Sequence, residues 1–211
     1  MSNEELAVEF EIIFEDLDTN GSKGLDNFER STCFTHAQEA LVKQKALAND
    51  LHSIRSIIDT NTLAGIGPGS YPGSRLFPAI DVFVMLDQHL VDGIGGTLPV
   101  TLVGPEIIKS MYLSAYKFPP KNIAYMLYGE DIVEVFAPLN FSLDKYFRRV
   151  VKYPSPVILE TLSGTDTING LQAQTSPVVD DDEHRLLVEM AVQFAVKTYI
   201  GVPEQQVPKS Q

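Results

Sequence analysis

Leu6, Phe10, Ile13, Phe14 and Leu17 recur at spacings that place them on one side of a helix, with acids between them. Asp18, Asn20, Gly21 and Gly24 interrupt that pattern. Asp26 followed three residues later by Glu29 predicts a capping box that opens a second helix over about 27–49. Its expected apolar stripe is Cys33, Ala37, Ala40, Gln44, Leu47 and Leu51, flanked by Phe34 and Leu41. A short link between two such elements predicts a helical hairpin. The pattern then changes. GIGPGSYPG, Gly65 to Gly73, is too rich in glycine and proline for regular structure and reads as an exposed contact loop. IDVFVMLDQHLV (Ile80 to Val91) and LPVTLV (Leu98 to Val103), joined by DGIGG, predict a β-hairpin. Pro105 and Glu106 open a short helix to about Ala115, and further strands are expected at 122–128, 131–136 and 146–151. Asp180, Asp181 and Asp182 mark a last helix, striped by Leu187, Ala191, Phe194, Ala195 and Thr198 and stopped by Gly201 and Pro203.

These elements predict an α+β fold in which terminal helices form a small bundle around an inserted, mostly antiparallel β-sheet lobe. The expected segments are a helical hairpin over 1–60, a Gly/Pro-rich loop over 61–79 and a β-rich lobe with one short helix over 80–152. A linker and a C-terminal helix packed on the N-terminal helices follow over 153–201, then a flexible tail over 202–211. The 211 residues, 44% hydrophobic, are enough for a real core. No apolar run reaches membrane-spanning length, and no basic start followed by an apolar core suggests a secretory signal, so synthesis in the cytoplasm and no membrane partner are expected. Acids outnumber bases 28 to 16, a net charge of -12, which disfavours broad electrostatic capture of DNA and suits a surface that DNA slides past. A single cysteine, Cys33, rules out an intrachain disulfide and reads as a small buried hydrophobe.

Candidate chemistry is thin. Asp16, Asp18 and Asn20 match the opening of a calcium-binding EF-hand loop, but its twelfth position, which needs a bidentate carboxylate, is Asn27. A polar interhelical turn accounts for them better, with a calcium-dependent binding module as the alternative. The four histidines, His36, His52, His89 and His184, lack metal-ligand spacing. There is no nucleophile elbow and no P-loop, and paired acids such as Glu130 and Asp131 read as solvated turns. No cofactor and no catalytic site are expected. One basic cluster stands out, Lys145, Arg148, Arg149 and Lys152 among Tyr146, Phe147 and Tyr153. On a strand, Arg148 and Lys152 share a face with Tyr146, and Arg149 shares the other with Phe147 and Val151. Salt bridges within or between subunits explain this split better than DNA contact does.

Three stretches, in order, carry a resemblance. FERSTCFTHAQEALVKQ (Phe28 to Gln44), with its Ala37-Gln38 pair, resembles the second helix of tailed-phage head-to-tail adaptor proteins. AYKFPPKNIAYML (Ala115 to Leu127) is a further match. YFRRVVKYPSPVILETL (Tyr146 to Leu162), then TINGL (Thr167 to Leu171) and DDEHRLLVEMAVQFAV (Asp181 to Val196), is similar to the closing part of the portal-proximal ring proteins of crAss-like phages. The resemblance implies a structural virion protein and not an enzyme. It implies a homo-oligomeric ring, a dodecamer, connecting portal vertex and tail, with the portal protein and other ring and tail proteins as partners. Genomic DNA would pass through without specific binding. It also implies that Phe34, Ala37, Leu41, His184, Leu187 and Ala191 are core or neighbour contacts. Subunit-contact candidates are Tyr71, Pro72, Arg148, Arg149, Lys152, Tyr153 and His184, and the tail VPEQQVPKSQ is a candidate docking arm.

Overall fold

The computed structural model describes residues 1–17, 24–71, 73–79, 82–92, 96–113, 119, 123–129, 132–138, 141, 143 and 145–200. It is α+β. The chain divides into two compact units: one joins Met1–Ile57 to the segment from Tyr153 onward, and the other is the stretch between them, Ile58–Lys152.

The first unit holds helices α1 (Asn3–Leu17), α2 (Asn27–Leu47) and, after a short 3-10 turn at Asp181–Glu183, α4 (His184–Ala195), which runs into a π-helical turn at Val196–Ile200. The capping box is present: Asp26 Oδ1 accepts from the Glu29 amide at 2.8 Å and Glu29 Oε2 accepts from the Asp26 amide at 3.0 Å. Leu6, Phe10 and Phe14 are buried on α1, whereas Leu17 is exposed. The expected helical hairpin is looser than the spacing suggests. α1 and α2 each approach α4 more closely than they approach one another, and they meet chiefly through the Phe10 and Phe34 rings, 5.5 Å apart, and the Arg30–Glu11 ion pair. Short residues on α4, Ala191 and Ala195, permit the close approach.

The buried face of α2 keeps the first part of the expected stripe, Cys33 and Ala37 with the flanking Phe34 and Leu41, and departs from the rest. Leu47 is 73% exposed, while Phe34, Ala37, Gln38 and Leu41 are fully enclosed together with Ser31, Thr35 and Cys33. Apolar periodicity missed this because three of the inward residues are polar. Ser31, Thr35 and Gln38, at helical spacing, face the extended segment that follows Tyr153. The Ser31 hydroxyl accepts from the Leu159 amide at 3.1 Å, and the Thr35 hydroxyl accepts from the Val157 amide at 3.1 Å. Gln38 Nε2 donates to the Ser155 carbonyl at 2.7 Å, and its Oε1 accepts from the Val178 amide at 2.7 Å. From α1, the amide of Asn3 donates to the carbonyls of Ile158 (3.1 Å) and Thr175 (3.0 Å). Burial and, secondarily, Glu29 push the Cys33 thiol up to about 11.

Among the described residues, the second unit is an eight-stranded sheet with one helix. Its strands are β1 (Ile58–Ala64), β2 (Gly67–Pro68), β3 (Ser74–Pro78), β4 (Val84–Val91), β5 (Thr97–Leu102), β6 (Ala124–Tyr128), β7 (Ile132–Phe136) and β8 (Lys145–Val151), with α3 (Pro105–Leu113) between β5 and β6. The order is β1-β8-β4-β5-β6-β7-β3-β2; neighbours are antiparallel except β5 and β6, which are parallel. β1 also comes alongside β3 without pairing, so the sheet curls. Its inner face carries Phe77, Leu90, Leu98, Val100, Ala124, Met126, Val133, Val135 and Tyr146. On the opposite face α3 buries Ile108 and Met111 against Val103 and Phe136. The expected hairpin is β4 and β5, and β6, β7 and β8 fall where alternation placed strands. The Gly/Pro-rich loop expected over 61–79 is corrected: most of it is strand, since β1 reaches Ala64, β2 lies inside the glycine run and β3 follows it.

Replacing Gln38 with Leu strands the Ser155 carbonyl and the Val178 amide without a partner. It should lower unfolding stability by about 2 to 4 kcal/mol, read as a lower urea midpoint at unchanged slope. Because its thiolate is scarce near neutrality, Cys33 should react with a thiol reagent at about pH 8 far more slowly in the native chain than after denaturation.

Candidate subunit-contact surfaces

β8 places the basic cluster. Its alternation puts Tyr146, Arg148 and Val150 on the inner face of the sheet and Lys145, Phe147 and Arg149 on the outer one. Arg149 is exposed and lies opposite Thr60 of β1 and Asp87 of β4. Beside it the Phe147 ring stacks on His89 with centroids 4.4 Å apart. Just past the strand, Lys152 pairs with Asp59 at 2.9 Å and holds that carboxyl below the usual carboxylate range. Tyr153 begins the first unit's extended segment and is 61% exposed. Arg148, expected at a subunit contact, is instead entirely enclosed, with its guanidinium carbon 5.9 Å from the centre of the Tyr146 ring. The alternation that separates the charges was legible. Which face is the inside depended on β1 and β4 pairing on either side of β8.

The loop before β3 is held by a residue that sequence reasoning passed over. Glu134 of β7 is buried. Its Oε1 accepts from the Ser74 hydroxyl and from the Tyr71 amide, the latter at 3.2 Å. The Tyr71 ring lies 5.7 Å from that of Phe136, and Gly69 and Ser74 are joined by a backbone bond of 3.0 Å. A Cβ on Gly69 would collide with the Ser74 hydroxyl and the Glu134 carboxylate, so the glycine is there for close approach. Tyr71 remains partly exposed on this anchored loop; Pro72 lies outside the described residues. A glutamate amid Ile-Val-x-Val-Phe on a strand is the one signal that could have exposed the anchor.

His184 is also enclosed, at the start of α4, with Nδ1 3.3 Å from Asp181 Oδ1 and 3.1 Å from the Met1 amino group. It is a packed residue and not a free surface. α1, by contrast, presents a distinctive exterior. Glu4, Glu5, Glu9, Glu11, Glu15 and Asp16 are its charged residues, all acidic, and Val8 and Ile12 are more than half exposed between them. Of the calcium-loop residues, Asp16 is exposed in the last turn of α1, and Asp18 and Asn20 lie outside the described residues. Among the described residues no group of three His, Cys, Asp or Glu side chains could hold a metal ion. Among them, too, no helix is long and apolar enough to cross a membrane.

Residues 72–205 match the family model described as phage tail ring protein 3/4. Over 95% of this chain and 94% of the relative, the sequence is 26% identical to "Ring protein 4/5" of Bacteroides phage crAss001. It is 24% identical to "Ring protein 3" of the same phage over 93% of this chain and 95% of that one.

Substituting Glu134 with Leu should leave the Tyr71 amide and the Ser74 hydroxyl bonded only to one another's residue, without the carboxylate that ties them to β7, and lower stability by about 1 to 3 kcal/mol. Hydrogen exchange should then speed up at the Gly69 and Ser74 amides and leave α2 unchanged. Gly69→Ala should have the same signature.

Proposed function

Because the chain belongs to the phage tail ring protein 3/4 family, we propose that it is a structural subunit of the virion, a homo-oligomeric ring between the portal vertex and the tail through which the genome passes. The observation that carries this reading is the likeness to two ring proteins along nearly the full length of both partners. A local likeness would suggest a shared module. One that runs end to end supports a shared architecture and role.

A closed ring uses a heterologous interface, in which one patch of each subunit meets a different patch of the next. The two units offer such patches, of opposite sign. One is the acidic exterior of α1 with its Val8 and Ile12 ridge; the other is the outer face of β8 with Lys145, Phe147 and Arg149. An exposed apolar ridge flanked by carboxylates suits a partner that buries methylenes and supplies cations, and Arg149 beside Phe147 does both. Tyr71, Lys152 and Tyr153, and Pro72 beyond them, are further contact residues in this reading. Arg148 and His184, being enclosed, act within the subunit. The tail VPEQQVPKSQ acts as a docking arm to adjoining tail or portal components. An excess of acids suits a ring around DNA, since a channel that lets the duplex slide must not neutralise its phosphates.

The purified chain should form a ring of defined mass, a dodecamer, by native mass spectrometry and electron microscopy. Ile12→Asp or Arg149→Glu, both at exposed positions, should leave the subunit folded and reduce assembly at least tenfold. Removal of the residues after Gly201 should spare the ring and block its incorporation into particles. Virions lacking the product, or monomers at every concentration, would overturn the reading.

A further inference from the structure

Arg148 is the largest fully buried side chain among the described residues, and none of its three guanidinium nitrogens has a hydrogen-bond partner. Its register partner on β1, Asn61, has a buried amide nitrogen that makes no well-formed hydrogen bond, although it lies beside the Asp59 carboxylate. On the other side its partner is Gln88 of β4, whose oxygen accepts from the Tyr146 hydroxyl at 2.7 Å and whose nitrogen donates to the Val100 carbonyl at 3.1 Å. The nearest acid on this face, Asp59, is engaged by Lys152. The result is a group of four donor nitrogens inside the curled sheet, carrying one positive charge and making no well-formed hydrogen bond. Stacking near the Tyr146 ring offers a guanidinium some compensation, but none to its N–H groups.

A buried cation with no hydrogen-bonded counter-charge is among the most unfavourable arrangements in a protein interior, and Asp59 acts on Arg148 only through space. Burial drives the Arg148 pKa downward, yet an arginine does not give up its proton at neutral pH, so charge loss is not the escape. We propose that Arg148 and Asn61 form an internal anion-binding site, in which a small anion (chloride, inorganic phosphate or a small carboxylate) accepts from the guanidinium fork and the Asn61 amide. Planar paired donors suit oxyanions, and a compact halide needs no particular geometry. Entry is through an edge: β1 is the terminal strand of the sheet and Arg148 lies one strand in, where transient opening requires least. Bound there, the anion fastens the edge strand to β8 and neutralises the end of the sheet where Arg148 and Lys152 share a face.

The test is thermal unfolding of the full chain at fixed ionic strength, with chloride, phosphate or acetate exchanged for a bulky buffer sulfonate. Raising the small anion from about 1 to about 100 mM should lift the midpoint of the native sequence by roughly 2 to 4 °C along a saturating curve. Arg148→Met, which keeps the length and removes the charge, should fold and lose that dependence. Equal responses in both chains would mean a general salt effect and would overturn the site, as would no response in the native chain. The three anions distinguish a halide site from an oxyanion site. Should Arg148→Met fail to fold, bromide diffraction from crystals of the native chain decides: an anomalous peak within about 3.5 Å of the guanidinium supports the site, and a water molecule there in its place refutes it.

Discussion

The extended segment from Pro156 to Leu159, entered from the exposed Ser155, runs through the interior of the helical unit with one isolated bridge, Ile158 to Thr175, in place of a β-ladder. Buried peptide groups need partners. Side chains from two helices meet that need: Ser31, Thr35 and Gln38 from α2, and Asn3 from α1. Each is a short or planar polar group that adds little bulk, so the segment lies close to α2 while Val157, Ile158 and Leu159 fill the core. Without this polar face, the chain returning from the sheet would have no place among the helices, and α4 would have a poorer platform on which to dock.

The same economy governs the sheet. β8 is a central strand, paired with β1 and β4, and its two faces have separate tasks. The outer face keeps charge in water at Lys145 and Arg149, available to another molecule. The inner face closes the hydrophobic core with Tyr146 and Val150, yet admits Arg148. Glu134 is the counterpart on β7, a buried carboxylate whose hydrogen bonds turn a glycine-rich excursion into a fixed platform for Tyr71. In both places an exposed side chain stands next to a buried polar one, Arg149 beside Arg148 and Tyr71 on Glu134.

Strong local signals were readable without coordinates. The Asp26–Glu29 capping box, the helices at both ends, the β4–β5 hairpin and the strands β6 to β8 all follow from patterns spanning fewer than about a dozen residues. Misreadings share one cause. Helical spacing from Cys33 and Ala37 runs on to Gln44 and Leu47, whereas burial turns instead to Gln38 and Leu41. The region of the glycine run reads as loop because β2, within it, and β3, just after it, are short and lie around residues of poor strand propensity. β3 is a strand because it pairs with β7, more than fifty residues away, and β2 because it pairs with β3.

By itself the sequence determined the α+β class, the positions of most elements, the split of charge across β8 and the likeness to phage ring proteins, since each depends on residue order and local periodicity. Only the tertiary structure decided that Arg148 and His184 are interior, that Glu134 anchors the Tyr71 loop and that α2 presents its polar side inward. Burial is a property of what comes to lie alongside a residue, and those neighbours arrive from segments 60 to 183 positions away along the chain.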